Sequence, residues 1–171
     1  VTVHRSNKVG DDTVIGSGNY LMAHSHVGHN CVLHDNIIMA NGALLGGHVE
    51  VFDQVFISGN CLVHQFVRIG QLALMQGGSA ISQDLPPFCI ARGDNGICGL
   101  NVIGLRRAGM SAEERKELKS LYHHLFRSGE KLTRAVDLAQ SRYTSVAAQT
   151  MLGFVVGSKR GVCRQRGTAS D

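Results

Sequence analysis

The chain has 171 residues, of which 43% are hydrophobic and 18% charged, with 21 Gly, 2 Pro and no Trp. That length suits one domain or one and a half, and the composition is neither that of a disordered chain nor that of a membrane protein. The formal charge of +4 is unevenly spread: residues 1–105 carry 4 Lys and Arg against 7 Asp and Glu, whereas residues 106–171 carry 13 against 6.

From Val3 to Ile81 every sixth residue is aliphatic or Met, fourteen in all, and the position four after each is mostly small or β-branched (Thr13, Ser25, Cys31, Ala43, Cys61, Ala73). A period of six fits neither a helix nor a lone strand. It fits a coil of short strands whose turns recur every six residues, the hexapeptide signature of a parallel β-helix. With three hexads per triangular coil, residues n and n+18 stack as neighbouring strands about 4.8 Å apart. Fourteen regular hexads are therefore expected over residues 3–86, and Pro86-Pro87, which removes two donors in succession, is expected to end the coiling.

After a Gly- and Asn-rich loop the pattern turns helical. Ser111-Ala-Glu-Glu114 is a capping box that opens a helix carrying Leu118, Leu121, Leu125 and Phe126, with Gly129 as its C-cap. Two further helices are predicted at about 130–141 and 144–157. The polar, basic tail after Gly161 is expected to be disordered. The expected division is a β-helix over residues 1–104 and a basic helical domain over residues 105–171, whose charge suits an acidic partner; with few aromatics and no reader motif, nucleic acid is not expected.

No apolar run approaches the roughly 20 residues that cross a bilayer, and the N-terminus lacks signal-peptide regions, so a cytoplasmic location is expected. The five cysteines contain no C-x-x-C pair, which argues for reduced thiols rather than a disulfide framework or a thiolate zinc site. The chain opens Val-Thr-Val-His inside a pattern already running, and is expected to be a fragment of a longer one.

Six of the nine histidines lie between residues 24 and 64. One coil on from His29 is Gly47, next to His48; another coil on is Gln65, next to His64. The hexad phase points His29, His48 and His64 away from the core. A neutral imidazole is the side chain best suited to take a proton near pH 7, and a backbone N–H at Gly47 could approach a substrate oxygen without steric cost. Cys31 and Cys61 fall on the small inward position and read as core. There is no G-x-S-x-G elbow, P-loop or dinucleotide fingerprint.

At His-Val-Gly-His-Asn-Cys (26–31), Gly-Gly-His-Val (46–49), Val-His-Gln-Phe (63–66), Gln-Asp-Leu-Pro-Pro (83–87), Gly-Leu-Arg-Arg-Ala-Gly (104–109) and Ser-Lys-Arg-Gly (158–161), the chain resembles the bacterial acyl-[acyl-carrier-protein]:UDP-N-acetylglucosamine O-acyltransferases of lipid A synthesis. The resemblance implies a left-handed β-helix and a soluble homotrimer with sites between subunits, taking acyl carrier protein as donor and UDP-N-acetylglucosamine as acceptor. It also implies that roughly the first third of the family's chain is missing here. No cofactor and no metal are implied. By motif, His29 matches the general base, Gly47 the oxyanion donor, His26, His48, His64 and Gln65 sugar-nucleotide contacts, and Arg107 an arginine that approaches phosphate. Asn101 would help line the acyl or nucleotide groove. Gly77 falls where the family's side chain sets the floor of the hydrocarbon groove, which implies a long acyl chain unless the coil simply prefers a small residue there. Two departures stand out: Asn30 replaces the Asp that often follows the base, and the segment 96–100 differs in length and type, leaving the acceptor open. The competing readings are a coenzyme A-dependent hexapeptide acyltransferase, a zinc hydratase using His26, His29 and His48 from neighbouring subunits, and a non-catalytic scaffold.

Overall fold

The computed structural model describes residues 1–165; residues 166–171 lie outside the described part. Three parallel sheets form the walls of a β-solenoid. The first contains β1 (Thr2–Val3), β4 (His26–Val27), β7 (Leu44–Leu45), β10 (Leu62–Val63) and β13 (Ala80–Ile81). The second contains β2 (Val14–Ile15), β5 (Val32–Leu33), β8 (Glu50–Val51) and β11 (Arg68–Ile69). The third contains β3 (Tyr20–Leu21), β6 (Ile38–Met39), β9 (Phe56–Ile57) and β12 (Leu74–Met75), continued by β14 (Cys89–Ala91), β15 (Gly96–Leu100) and β16 (Arg164–Gln165).

Between neighbouring coils the register is the expected three hexads, as in Val14↔Val32, Tyr20↔Ile38 and His26↔Leu44. The second residue of each solenoid strand points inward, so Val27, Leu45, Val63 and Ile81 stack in one column, and Cys31, Val49 and Val67 fill another. The corners repeat as strictly as the walls. Every sixth residue from Gly18 to Gly78 has a positive φ of 56–71°. At Gly, Asn and His this left-handed turn is tolerated, but at Gln54, Phe66 and Leu72 it is strained and persists because the stacked coils over-determine it.

Two stretches depart from the expected regularity. β1 pairs with β4 as Thr2↔His26, one hexad more than a full coil, so thirteen hexads rather than fourteen build the walls. The hexad at Val9 is extruded as a loop that leaves the Val9 side chain fully exposed. Its aliphatic residue fits the period, but Gly10-Asp11-Asp12 follows it at once, and those residues have neither the β propensity nor the apolar bulk for a wall. The prolines, in turn, shorten the coil without ending it. Ile69 bridges Leu85, and Leu74 pairs with Ile90, both in parallel and both slightly short of a full coil. Pro86 and Pro87 occupy a corner, where ladder donors are not required, and Pro87 packs so closely on Gly70 that a Cβ there would come within 2.5 Å of it.

β15 then folds back antiparallel on β14 and leads into α1 (Val102–Arg107), so the helical part starts slightly before the expected residue 105. α2 (Ala112–Phe126) carries the complete Ser111–Glu114 capping box, and Gly129 takes φ 79° after its end. α3 (Leu132–Ala139) and α4 (Val146–Val156) follow where the periodicity put them. Leu118, Leu121, Tyr122 and Met151 join Phe88, Ile97 and Leu105 in a core continuous with that of the solenoid. The tail is ordered through Gln165: Val162 bridges Asp84, and β16 pairs with β15. The expected disorder of residues 166–171 concerns residues outside the described part. Among the described residues no helix is long and apolar enough to cross a membrane.

Candidate functional site

His29 sits at the corner between the first and second walls, just past β4. The coil above it brings Gly47 directly over the imidazole: a Cβ at position 47 would fall 2.5–2.6 Å from the ring's Cε1 and Nε2. Only glycine fits. Gly28 and Gly46 are required for the same reason, since a Cβ at 28 would meet the Gly46–Gly47 peptide and one at 46 would meet the Gln65 nitrogen, each at 2.7–2.8 Å. The glycines around the histidine thus let three coils close up at this corner. Gly47 is buried, and its N–H has no acceptor among the described residues. A buried donor left free beside a histidine is an uncommon and chemically useful arrangement.

The imidazole is held from one side. His29 Nδ1 lies 2.9 Å from Asn30 Oδ1. Asn30 is buried; its Nδ2 donates to Ser6 Oγ (2.7 Å), its Oδ1 accepts from the Asn7 N–H (3.2 Å), and its own N–H donates to Thr13 Oγ1 (2.9 Å). Because Oδ1 can only accept, His29 Nδ1 carries the proton, which in the neutral ring leaves the lone pair on Nε2.

Above this pair, His48 meets His29 edge to face with ring centroids 5.1 Å apart, and Phe66 stacks on His48 at 4.6 Å. Those contacts help hold Phe66 in its strained turn. His64 and Gln65 are exposed on the next coil. His26 faces outward from the first wall, 4.9 Å from His4, and burial, followed by the charge of His4, lowers its pKa below the usual 6.5. His26 and His64 border an apolar groove of about 560 Å³ floored by Leu44, Leu62 and Ala80.

The remaining candidates lie elsewhere on the same chain. Gly77 is exposed at the corner between the third and first walls. Asn101 and Arg107 border a groove of about 810 Å³ on the third wall, with Phe56, Leu74 and Ile90. Asn101 is buried and both ends of its amide are committed: Nδ2 donates to Leu72 O (2.9 Å) and Oδ1 caps α1 at the Gly104 N–H (3.0 Å). Its visible work is to orient α1, whose last turn presents Arg107. One chain thus brings His29, Gly47 and His48 together at one corner, with Gln65 stacked on Gly46 and with His26 and His64 on the groove of the first wall, whereas Arg107 and Asn101 border the third-wall groove and Gly77 lies at another corner. Among the described residues no group of three or more His, Cys, Asp or Glu side chains is placed to hold a metal ion.

Sequence reasoning missed Ser6, Asn7 and Thr13, because the register that brings them over Asn30 exists only once the Val9 hexad is extruded. It also missed Arg160, whose Nε donates to Ser82 O (3.0 Å) and whose guanidinium reaches within 3.4 Å of His64 Nδ1. Its motif, Ser-Lys-Arg-Gly, gave no hint of that contact.

Residues 84–163 match the second-domain profile of the UDP-N-acetylglucosamine O-acyltransferases, and residues 12–47 match the six-repeat bacterial transferase hexapeptide profile. The chain is 44% identical to an acyl-[acyl-carrier-protein]–UDP-N-acetylglucosamine O-acyltransferase of Synechocystis over 80% of its own length and 50% of that protein's. It is 36% identical to one of Campylobacter concisus over 97% and 64% respectively. Among solved structures, the UDP-N-acetylglucosamine acyltransferase of Arabidopsis superposes with a TM-score of 0.91 at 37% identity, covering 95% of this chain and 60% of that one. The Francisella novicida enzyme gives 0.90 at 30%, covering 98% and 63%. The chain thus spans between half and two thirds of the length of these relatives.

Proposed function

Since the chain belongs to the acyl-[acyl-carrier-protein]:UDP-N-acetylglucosamine O-acyltransferase family, we propose that it transfers an acyl chain from acyl carrier protein to the 3-hydroxyl of UDP-N-acetylglucosamine, the first step of lipid A synthesis, as part of a cytoplasmic homotrimer. The observation that carries this reading is the pairing of His29, whose Nδ1 is engaged by Asn30 Oδ1, with the free N–H of Gly47, one coil apart at one corner.

In this reading Nε2 takes the proton of the sugar hydroxyl as its oxygen attacks the thioester carbonyl. The Gly47 N–H receives the charge that builds on the carbonyl oxygen. Collapse of the tetrahedral intermediate breaks the carbon–sulfur bond, and the proton held by His29 passes to the leaving thiolate. General-base help contributes about 10²–10⁴-fold and a single oxyanion donor about 10²–10³-fold, so the two groups carry much of the chemical step.

The separation of the site residues supports the trimer. Outward positions on the second wall become charged at Glu50 and Arg68, whereas Leu44 and Leu62 on the first wall and Tyr20, Ile38, Phe56 and Leu74 on the third are apolar. Packing the first wall of one copy on the third wall of the next buries both surfaces and brings Arg107 of one copy towards the histidine corner of another. His26, His48, His64 and Gln65 then contact the sugar nucleotide, Arg107 its phosphates, and Gly77 leaves the acyl groove open for a long chain. Arg106, Arg115, Lys116, Lys119 and Arg127 line a basic groove of about 460 Å³ along α1 and α2, a fitting dock for an acidic carrier protein.

The test is acyl transfer to UDP-N-acetylglucosamine by the full-length protein, with carrier-protein thioesters of several lengths. Transfer that falls by about 10²-fold or more in His29→Ala is expected. Absence of transfer by the wild type with every donor overturns the reading.

A further inference from the structure

The proton on Ser6 is already spent. Ser6 is buried in the extruded loop, and its Oγ donates to Lys8 O (3.0 Å) while it accepts from the Lys8 N–H (3.1 Å). Towards Asn30 it can therefore only accept, and the Asn30 atom 2.7 Å away must be the amide nitrogen. A second, longer contact favours the same orientation without securing it alone: the Asn7 backbone N–H, 3.2 Å from the other end of the amide, is matched by an oxygen there. Flipping the amide would set its NH₂ against the Asn7 N–H and its oxygen against a hydroxyl with no proton to give. The Ser6 contact is buried and the Asn7 contact partly so, and unmatched polar groups are costly where water is excluded.

We propose that Ser6 is a positioning residue for the reaction: by fixing the amide orientation of Asn30, the extruded loop keeps the proton on His29 Nδ1 and the lone pair on Nε2. The clamp is neutral throughout. Among the described residues the imidazole is oriented by an amide rather than a carboxylate, and the task falls to a loop the hexad pattern does not predict. The same loop anchors the backbone of Asn30 through Thr13, so side chain and main chain are held together.

This inference rests on the acyltransferase reading for its effect on rate but not for its geometry, so the test has two readouts. Ring ¹⁵N shifts of His29 in the full-length protein should show Nδ1 protonated and Nε2 bare near neutral pH. In Asn30→Leu the ring should revert to the Nε2–H form that free imidazole prefers, with kcat falling by about 10²–10⁴-fold, the scale on which a base in the wrong tautomer loses activity. Ser6→Ala should give a mixture of the two forms and a fall of about tenfold in kcat with little change in KM. Asn30→Asp, which can still accept from Nδ1, should keep the wild-type tautomer and recover most of the rate lost in Asn30→Leu. Should Asn30→Leu not fold, Ser6→Ala and Asn30→Asp carry the test alone. An Nε2–H ring in the wild type, or a Ser6→Ala protein with unchanged tautomer and kcat, overturns the clamp. An Nδ1–H ring that responds as stated in a protein that transfers no acyl chain upholds the clamp and overturns the acyltransferase reading.

Discussion

Gly47 is where one missing methyl group matters most. Its Cα carries the coil across the face of His29, and any side chain would displace the ring from Asn30. On the proposed mechanism, Gly47→Ala is therefore expected to lower kcat by about 10²-fold or more by displacing His29, with a smaller loss of stability. Circular dichroism together with steady-state rates separates the two effects, and a variant with wild-type turnover would show that the ring position is not critical. At the same scale, the sequence reading located His29 and Gly47 correctly relative to each other because their spacing, three hexads, is one full coil. It could not see that Asn30 works with Ser6 and Asn7, since that contact is made across an irregular turn.

Among the elements, the join between solenoid and helices depends on one buried carboxylate. Asp84 accepts from the Arg68 N–H (2.8 Å), from Arg68 Nε and Nη2 (both 3.2 Å) and from Ser158 Oγ (2.8 Å). Arg68 also donates to Phe154 O and lies 4.4 Å from the centre of the Phe154 ring, so the end of α4 is tied to the last coils. Asp84→Asn leaves the guanidinium short of its charge partner and should cost on the order of 2–3 kcal/mol, read as a lower urea midpoint. A midpoint unchanged within error would mean that apolar packing alone holds the helices on. The basic groove on α1 and α2 gives a prediction of function rather than stability. Lys116→Glu with Lys119→Glu should raise KM for a carrier-protein thioester, most strongly at low salt, and leave KM for a small pantetheine thioester unchanged. Equal effects on both donors would count against docking there.

For the whole molecule, the proposed trimer rests on the apolar walls. Leu62 is 51% exposed on the first wall of an isolated chain, an apolar position that a neighbouring copy would cover. In the full-length protein, Leu62→Glu should shift sedimentation from a trimer towards smaller species and reduce turnover with it, because Arg107 and His29 would no longer share a cleft. A wild type that sediments as an active monomer would overturn the inter-subunit site.

Much of this protein is written locally. An aliphatic residue at every sixth position fixes both the solenoid and its three-hexad register, because only a coil of that pitch buries all those side chains on one axis. The capping box and the period of Leu118, Leu121 and Leu125 likewise announce α2. The left-handed corners were not legible, since Gln54, Phe66 and Leu72 adopt them against their own preference and are held there by the coils they join. The sixfold pattern also ran through Val9 without marking the extruded loop, and the prolines looked like an end where they make only a shorter corner. Tertiary structure alone decided what holds Asn30 against His29. Its clamp comes from a loop whose position depends on how the first coil closes, and no sequence period encodes where an irregular turn comes to rest.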